Sequence, residues 1–121
     1  MKVPGPDHPI TVEPNSRRVR VTFNGEVVAE SARSLVMREG KYNPVIYIPR
    51  GDANASLLMR SDHASHCPYK GDASYFSIRA GGRVSENAIW TYEQPYSAVA
   101  EIKDCLAFYP DRVDSIEELE K

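Results

Sequence analysis

Cysteine is scarce in this 121-residue chain, with Cys67 and Cys105 the two that are present. Two thiols are too few for the disulfide framework of a small secreted domain. Long apolar runs are also missing, so we expect neither a signal peptide nor a membrane-spanning segment. These features predict a cytoplasmic protein with both thiols reduced and no membrane partner.

The chain also lacks a surplus of either charge. Its 15 basic and 17 acidic residues give a formal net charge of −2, whereas nucleic-acid-binding domains normally carry a basic surplus. The basic run from Arg17 to Arg20 alternates Arg with Val, which predicts a solvated sheet face, with a groove for phosphate or carboxylate as the alternative. We therefore expect no nucleic-acid partner.

The length and the 41% hydrophobic fraction are sufficient for one core that needs neither a disulfide nor a metal. Residues 1–16 hold four prolines and predict an extended N-terminal arm. A single β-rich domain is expected over residues 17–114. Residues 115–121 form an acidic C-terminal tail for which we expect an exposed helical turn.

Short β-branched and aromatic runs predict about seven strands. The strongest signal is Asn24-Gly25 between Arg18–Phe23 and Glu26–Glu30, because Asn-Gly between two such runs favours a hairpin. The strand runs do not alternate regularly with helices, which argues against a doubly wound fold. The expected class is mainly β, with a small barrel or two packed antiparallel sheets.

Two short helices are expected among these strands. One is capped by Asp52, since Asp at this position can accept from the first free N–H groups of a helix. The other covers residues 96–102, with Val99 and Ile102 on one side. Residues 61–72 show no hydrophobic period and are interrupted by proline and glycine.

A hexapeptide in this segment, His66-Cys67-Pro68-Tyr69-Lys70-Gly71 followed by Ala73-Ser74-Tyr75, resembles the signature of the bacterial and fungal family known as domain of unknown function 427. Further similar segments follow in the expected order, at Arg18–Glu26, Tyr47–Arg50, Asn87–Tyr92 and Leu106–Val113. The resemblance implies a compact, tent-like all-β domain without an assigned function. The family is sometimes labelled nucleotidyltransferase-like, but this chain has neither a Gly-rich phosphate loop nor an Asp-x-Asp metal pair.

The hexapeptide contains residue types that could perform nucleophilic catalysis. Cys67 is a candidate nucleophile, with His66 as base and Lys70 as anion stabiliser, because nearby cations favour the thiolate. Asp111 is a candidate for orienting His66 or Lys70. The alternative is that Cys67 is a small buried hydrophobic residue. Whether the protein is an enzyme stays open.

A metal site is a second possibility, since His63, His66, Cys67 and Cys105 are ligands that zinc accepts. Their spacing matches no standard zinc knuckle. If His66 and Cys67 lie in a strand, their side chains point to opposite faces and cannot both reach one ion. We therefore predict no metal and no cofactor.

A small-ligand pocket is the leading interpretation, because such pockets combine apolar walls with a few convergent polar groups. The predicted ligand-binding residues are Tyr47, Arg50, His66, Cys67, Tyr69, Lys70, Tyr75 and Trp90. We expect His66 and Lys70 to face the same aromatic concavity. The alternative is a protein-interaction or purely structural module, and a monomer or homodimer is expected in either case.

Overall fold

The structure is a computed structural model that describes residues 1–120. Its strands, in chain order, are β1 (Ile10–Pro14), β2 (Arg18–Phe23), β3 (Glu26–Ser31), β4 (Leu35–Glu39), β5 (Val45–Pro49), β6 (Leu58–Cys67), β7 (Gly71–Ala80), β8 (Arg83–Tyr92), β9 (Cys105–Phe108) and β10 (Ser115–Leu119). Short 3₁₀ helices span Arg50–Asp52, Ala55–Leu57, Ser97–Ile102 and Pro110–Arg112. No helix in the described part of the chain is long and apolar enough to cross a membrane.

The strands form two antiparallel sheets. The larger sheet has the order β1-β4-β5-β9-β8-β7-β6, and the smaller has the order β10-β2-β3. The predicted class is confirmed as mainly β, with antiparallel sheets and few short helices. Within residues 1–120 neither sheet closes into a barrel. Strands β1 and β10 fall inside the segments predicted as arm and tail, and each adds an outer strand to one sheet.

The hairpin predicted at Asn24-Gly25 is confirmed. Phe23 pairs with Glu26, and φ is +50° at Asn24 and +80° at Gly25. A two-residue turn that matches the twist of its strands needs positive φ at both positions, which Asn and Gly adopt at low cost. Asn24 Nδ2 also donates to the Ala80 carbonyl at 2.8 Å, which ties this turn to the β7–β8 hairpin.

Two local predictions are wrong. Asp52 caps no helix, because its carboxylate instead accepts hydrogen bonds from Ser31 (2.6 Å) and Arg33 (2.9 Å). Residues 115–119 form strand β10, paired with β2, and not a helical turn. Strand β6 was not anticipated within residues 61–72, because this edge strand is exposed along most of its length and carries no alternating apolar pattern.

The larger sheet has a core cluster on each face, because successive side chains along a strand point to opposite sides. In β5, Ile48 belongs to the mainly aliphatic cluster between the two sheets, whereas the adjacent Tyr47 belongs to the cluster on the other side. That second cluster also contains Tyr75 and Tyr92. We call the side of the sheet that carries these three tyrosines the tyrosine face.

Candidate functional site

A cavity of about 220 Å³ lies on the tyrosine face, and we call it the tyrosine cavity. Its walls are mainly aromatic and include Tyr47, Tyr75, Trp90, Tyr92 and Tyr109. They also include one pair of opposite charges, Lys70 and Glu39. Strand register brings the rings together, since Tyr75 pairs with Trp90 and Trp90 pairs with Ala107. The small Ala107 leaves room beside Trp90, whose ring meets Tyr47 edge to face at 6.4 Å.

Lys70 reaches this cavity from the turn between β6 and β7. The Lys70 N–H donates to the Cys67 carbonyl at 3.3 Å, and the Tyr96 N–H donates to the Lys70 carbonyl at 3.0 Å. Gly71 follows with φ of +112°, and a Cβ there would lie 3.3 Å from the carbonyl oxygen of Gln94. The turn that aims Lys70 therefore requires glycine at the next position.

Lys70 and Glu39 form a largely buried ion pair in the cavity wall. Lys70 Nζ donates to Glu39 Oε1, and the two side chains are 11% and 15% exposed. His8 Nε2 lies 2.7 Å from Glu39 Oε2 and donates to it, because a carboxylate can only accept. Burial raises the pKa of Glu39, but the hydrogen bonds from Lys70 and His8 outweigh it and hold the pKa below its ordinary value. Glu39 is therefore an anion with a donor on each oxygen.

Three of the phenols that line the cavity, those of Tyr47, Tyr92 and Tyr109, are neutral. Burial raises the pKa of Tyr47 and of Tyr92 well above the ordinary value of 10.0, and it raises the pKa of Tyr109 to about 12. The indole N–H of Trp90 donates to Tyr47 Oη at 3.3 Å. At physiological pH these phenols can therefore donate as well as accept hydrogen bonds.

A second cavity of about 290 Å³ lies between the two sheets. Its walls are almost entirely apolar and include Val21, Ile48, Phe108 and Ile116. Trp90 lines both cavities. Val45 also lines both, so the two cavities share these residues at their margins.

The structure separates His66 from Lys70. His66 and Cys67 are neighbours in strand β6, and their side chains point to opposite faces as the alternation in a strand requires. Cys67 packs against the core of the tyrosine face, whereas His66 Nδ1 lies 2.7 Å from Asp72 Oδ1 on the other side. The tyrosine cavity thus contains Lys70 without His66, contrary to the expectation that they share one concavity.

Four predicted ligand-binding residues line the tyrosine cavity, namely Tyr47, Lys70, Tyr75 and Trp90. Tyr69 lies outside it and stacks on the His8 ring, with 3.9 Å between the ring centroids and 7° between the planes. Arg50 is also elsewhere, with its guanidinium 3.3 Å from Glu93. The predicted aromatic residues therefore match the cavity lining better than the predicted polar residues do.

Asp111 does not take part in the site. It is exposed in the last 3₁₀ helix, and the carboxylates that contact His66 and Lys70 are those of Asp72 and Glu39. The hypothesis that Asp111 orients either residue is wrong. Asp72 lies six positions from His66, whereas Glu39 lies 31 positions from Lys70.

The candidate zinc ligands do not assemble either. In the described residues, no group of three His, Cys, Asp or Glu side chains is arranged to hold a metal ion. The His63 ring packs against Tyr75 with 4.4 Å between centroids. Cys67 and Cys105 are both free thiols, and burial raises the pKa of Cys105.

Comparison with known families agrees with the resemblance carried by the hexapeptide. A family model described as a domain of unknown function (DUF427) matches residues 11–119. The chain belongs to this family. The match spans nearly all of both sheets, including the strands that build the tyrosine cavity. No curated protein matches the chain.

Sequence reasoning missed Glu39 and His8 in this DUF427 domain. Glu39 lies 31 positions from Lys70 along the chain, and His8 lies 31 positions from Glu39. Neither residue belongs to the hexapeptide or to any motif with a known spacing. Strands β5, β9 and β8 lie between β4 and β7 in the sheet, so Glu39 and Lys70 meet in the cavity wall and not through neighbouring strands, and this contact has no local signal.

A separate polar cluster surrounds Glu93 on the face opposite the tyrosine face. Arg60 donates two hydrogen bonds to the Glu93 carboxylate, at 2.7 and 3.0 Å, and Arg50 donates a third at 3.3 Å. The hydrogen bonds from Arg60, opposed by burial and helped by Arg50, lower the pKa of Glu93 to about 2. Glu93 therefore stays ionised in acid that protonates ordinary carboxyl groups.

Glu93→Gln should make stability less sensitive to acid. A depressed pKa in the folded state contributes stability that is complete above the ordinary value of 4.5 and is lost as pH falls toward 2. We expect a contribution of about 1–2 kcal/mol at neutral pH, because solvent screens this partly exposed cluster. Urea unfolding at a series of pH values measures this contribution. The control is Glu118→Gln, which changes an exposed carboxylate of strand β10. Equal acid sensitivity in wild type and Glu93→Gln would contradict the assignment.

Proposed function

We propose that this DUF427 domain binds a small planar ligand in the tyrosine cavity. The observation that carries the proposal is the occurrence of a largely buried ion pair, Lys70 and Glu39, in a cavity whose other walls are mainly aromatic. Pockets for small molecules typically combine apolar and aromatic walls with a few placed polar groups. A core with a purely structural role would gain as much from hydrophobic residues, because a buried ion pair adds little net stability.

The size of the cavity supports a single-ring ligand. A cavity of roughly 150 Å³ is sufficient to hold benzene in a protein interior, and the tyrosine cavity measures about 220 Å³. Drug-sized ligands generally need roughly 300 Å³ or more. The volume therefore fits one ring with one or two polar substituents.

Trp90 provides a direct test, because it is the single tryptophan of the chain and lines the cavity. Titration with benzamide, a neutral single-ring compound, should change its fluorescence in a saturable way. Asn43→Phe should weaken this response, since Asn43 is an exposed residue of the cavity lining and a ring there narrows the opening.

The matched control is Val84→Phe, which adds a ring at a β8 position that is 47% exposed and lies outside the cavity lining. It should bind benzamide as the wild type does. Absence of saturable binding to the wild type by benzamide and by its charged single-ring analogues, or equal loss of benzamide binding in both variants, would refute the proposed function.

A further inference from the structure

The ammonium of Lys70 has hydrogen-bonding capacity that the protein leaves unused. An ammonium carries three N–H donors, and within residues 1–120 the acceptor in contact with Nζ is Glu39 Oε1. The side chain is 11% exposed and lines the tyrosine cavity. Bulk water can therefore satisfy little of the hydrogen-bonding capacity of the ammonium. Two of its N–H groups are available to an acceptor inside the cavity.

The carboxylate of Glu39, in contrast, is already occupied. Oε1 accepts from Lys70, and Oε2 accepts from His8 at 2.7 Å. A cationic ligand that sought Glu39 would have to replace one of these donors. Near Lys70 and Glu39 the cavity therefore offers hydrogen-bond donors to a ligand more readily than hydrogen-bond acceptors.

Tyr47 adds a neutral donor to the same cavity. Its oxygen accepts the indole N–H of Trp90 at 3.3 Å, so its own O–H is free to donate. Burial raises the pKa of Tyr47 and keeps this phenol protonated. Lys70 and Tyr47 thus provide donors of two kinds between aromatic walls.

A carboxylate attached to a ring matches this arrangement, because its oxygens accept from the donors while the ring packs against the aromatic walls. Hydrogen bonds between ionised groups are about twice as strong as neutral ones. We infer that the tyrosine cavity selects single-ring compounds that carry a carboxylate over neutral or cationic compounds of the same shape. This inference rests on the proposed function and adds the chemical class of the ligand.

Three probes of nearly equal size test the inference, namely benzoate, benzamide and benzylamine. Benzoate should bind the wild type about tenfold more tightly than benzamide, which corresponds to one charge-assisted hydrogen bond in place of a neutral one. Benzylamine should bind more weakly than either. Titration followed by Trp90 fluorescence and by calorimetry gives the three dissociation constants.

The double variant Lys70→Gln/Glu39→Gln removes the cation without leaving a buried charge unpaired. It should bind benzoate no more tightly than benzamide, because the charge that favours a carboxylate is absent. Circular dichroism checks that the double variant is folded. The order of the three dissociation constants of the wild type tests the inference independently of the double variant. If benzamide binds the wild type but benzoate binds no more tightly, or if the double variant keeps the preference, the inference is overturned and the proposed function stands. If none of the probes binds, both are refuted.

Discussion

Lys70→Ala should lower the free energy of unfolding by about 3 kcal/mol, because it leaves the buried Glu39 carboxylate without its main partner. Glu39 is 15% exposed and would keep only the contact from His8 among its present donors. Water can reach the carboxylate poorly, so little solvation replaces the lost ammonium. Urea unfolding at neutral pH, followed by circular dichroism, measures the change.

The pH dependence of the Lys70→Ala penalty separates this cause from simple loss of packing. The pKa of Glu39 lies below 4.5 in the wild type, so the stability from the ion pair is complete above 4.5 and is lost as pH falls below it. The penalty should therefore shrink in acid, where Glu39 becomes protonated. Lys103→Ala is the matched control, since Lys103 is 62% exposed and its pair with Asp104 should contribute about 1 kcal/mol or less. A Lys70→Ala penalty no larger than that of Lys103→Ala would contradict the buried pair.

Trp90→Ala should lower the free energy of unfolding by about 3 kcal/mol, the lower part of the range for truncating a large aromatic side chain in a core. The half-buried ring lies 4.5 Å from the ring of Tyr109, and its N–H donates to Tyr47. Its loss would also remove an aromatic wall of the tyrosine cavity. Circular dichroism must follow unfolding, because the variant has no tryptophan.

Trp90→Phe tests whether the aromatic ring of Trp90 or its hydrogen bond to Tyr47 contributes more to stability and to binding. It keeps an aromatic ring in the wall and removes the hydrogen bond to Tyr47, so we expect a loss of about 1 kcal/mol. Binding of benzamide, followed by calorimetry, should survive in Trp90→Phe and disappear in Trp90→Ala. A stability of Trp90→Ala equal to that of the wild type would contradict the packing of the ring against Tyr109.

The local sequence was sufficient to predict the turn and strand features that depend on a few neighbouring residues. Asn24-Gly25 predicts its hairpin because the two residues supply the positive φ that the turn itself requires. Residues 45–48 predict strand β5 through β-branched content, and the strand is present as Val45–Pro49. In these cases the physical cause lies within a few residues of its effect.

The edge of the larger sheet was not predictable in the same way. Strand β6 pairs with β7 alone and is exposed along most of its length, so no alternation of apolar and polar residues marks it. Because residues 61–72 show no strand pattern, the sequence does not predict the opposite orientation of His66 and Cys67. The hexapeptide pattern therefore groups His66 with Lys70, although the structure places them on different faces.

The sequence alone determined the family, the mainly β class and four members of the tyrosine cavity. The family followed from a rare hexapeptide, and Tyr47, Tyr75 and Trp90 followed from aromatic residues in predicted strands. The partner of Lys70 was decided by tertiary structure, because Glu39 lies 31 positions away and its strand β4 is separated from β7 in the sheet by β5, β9 and β8. The two side chains meet only in the wall of the folded cavity, and a short motif therefore carries no information about which distant carboxylate its lysine will meet.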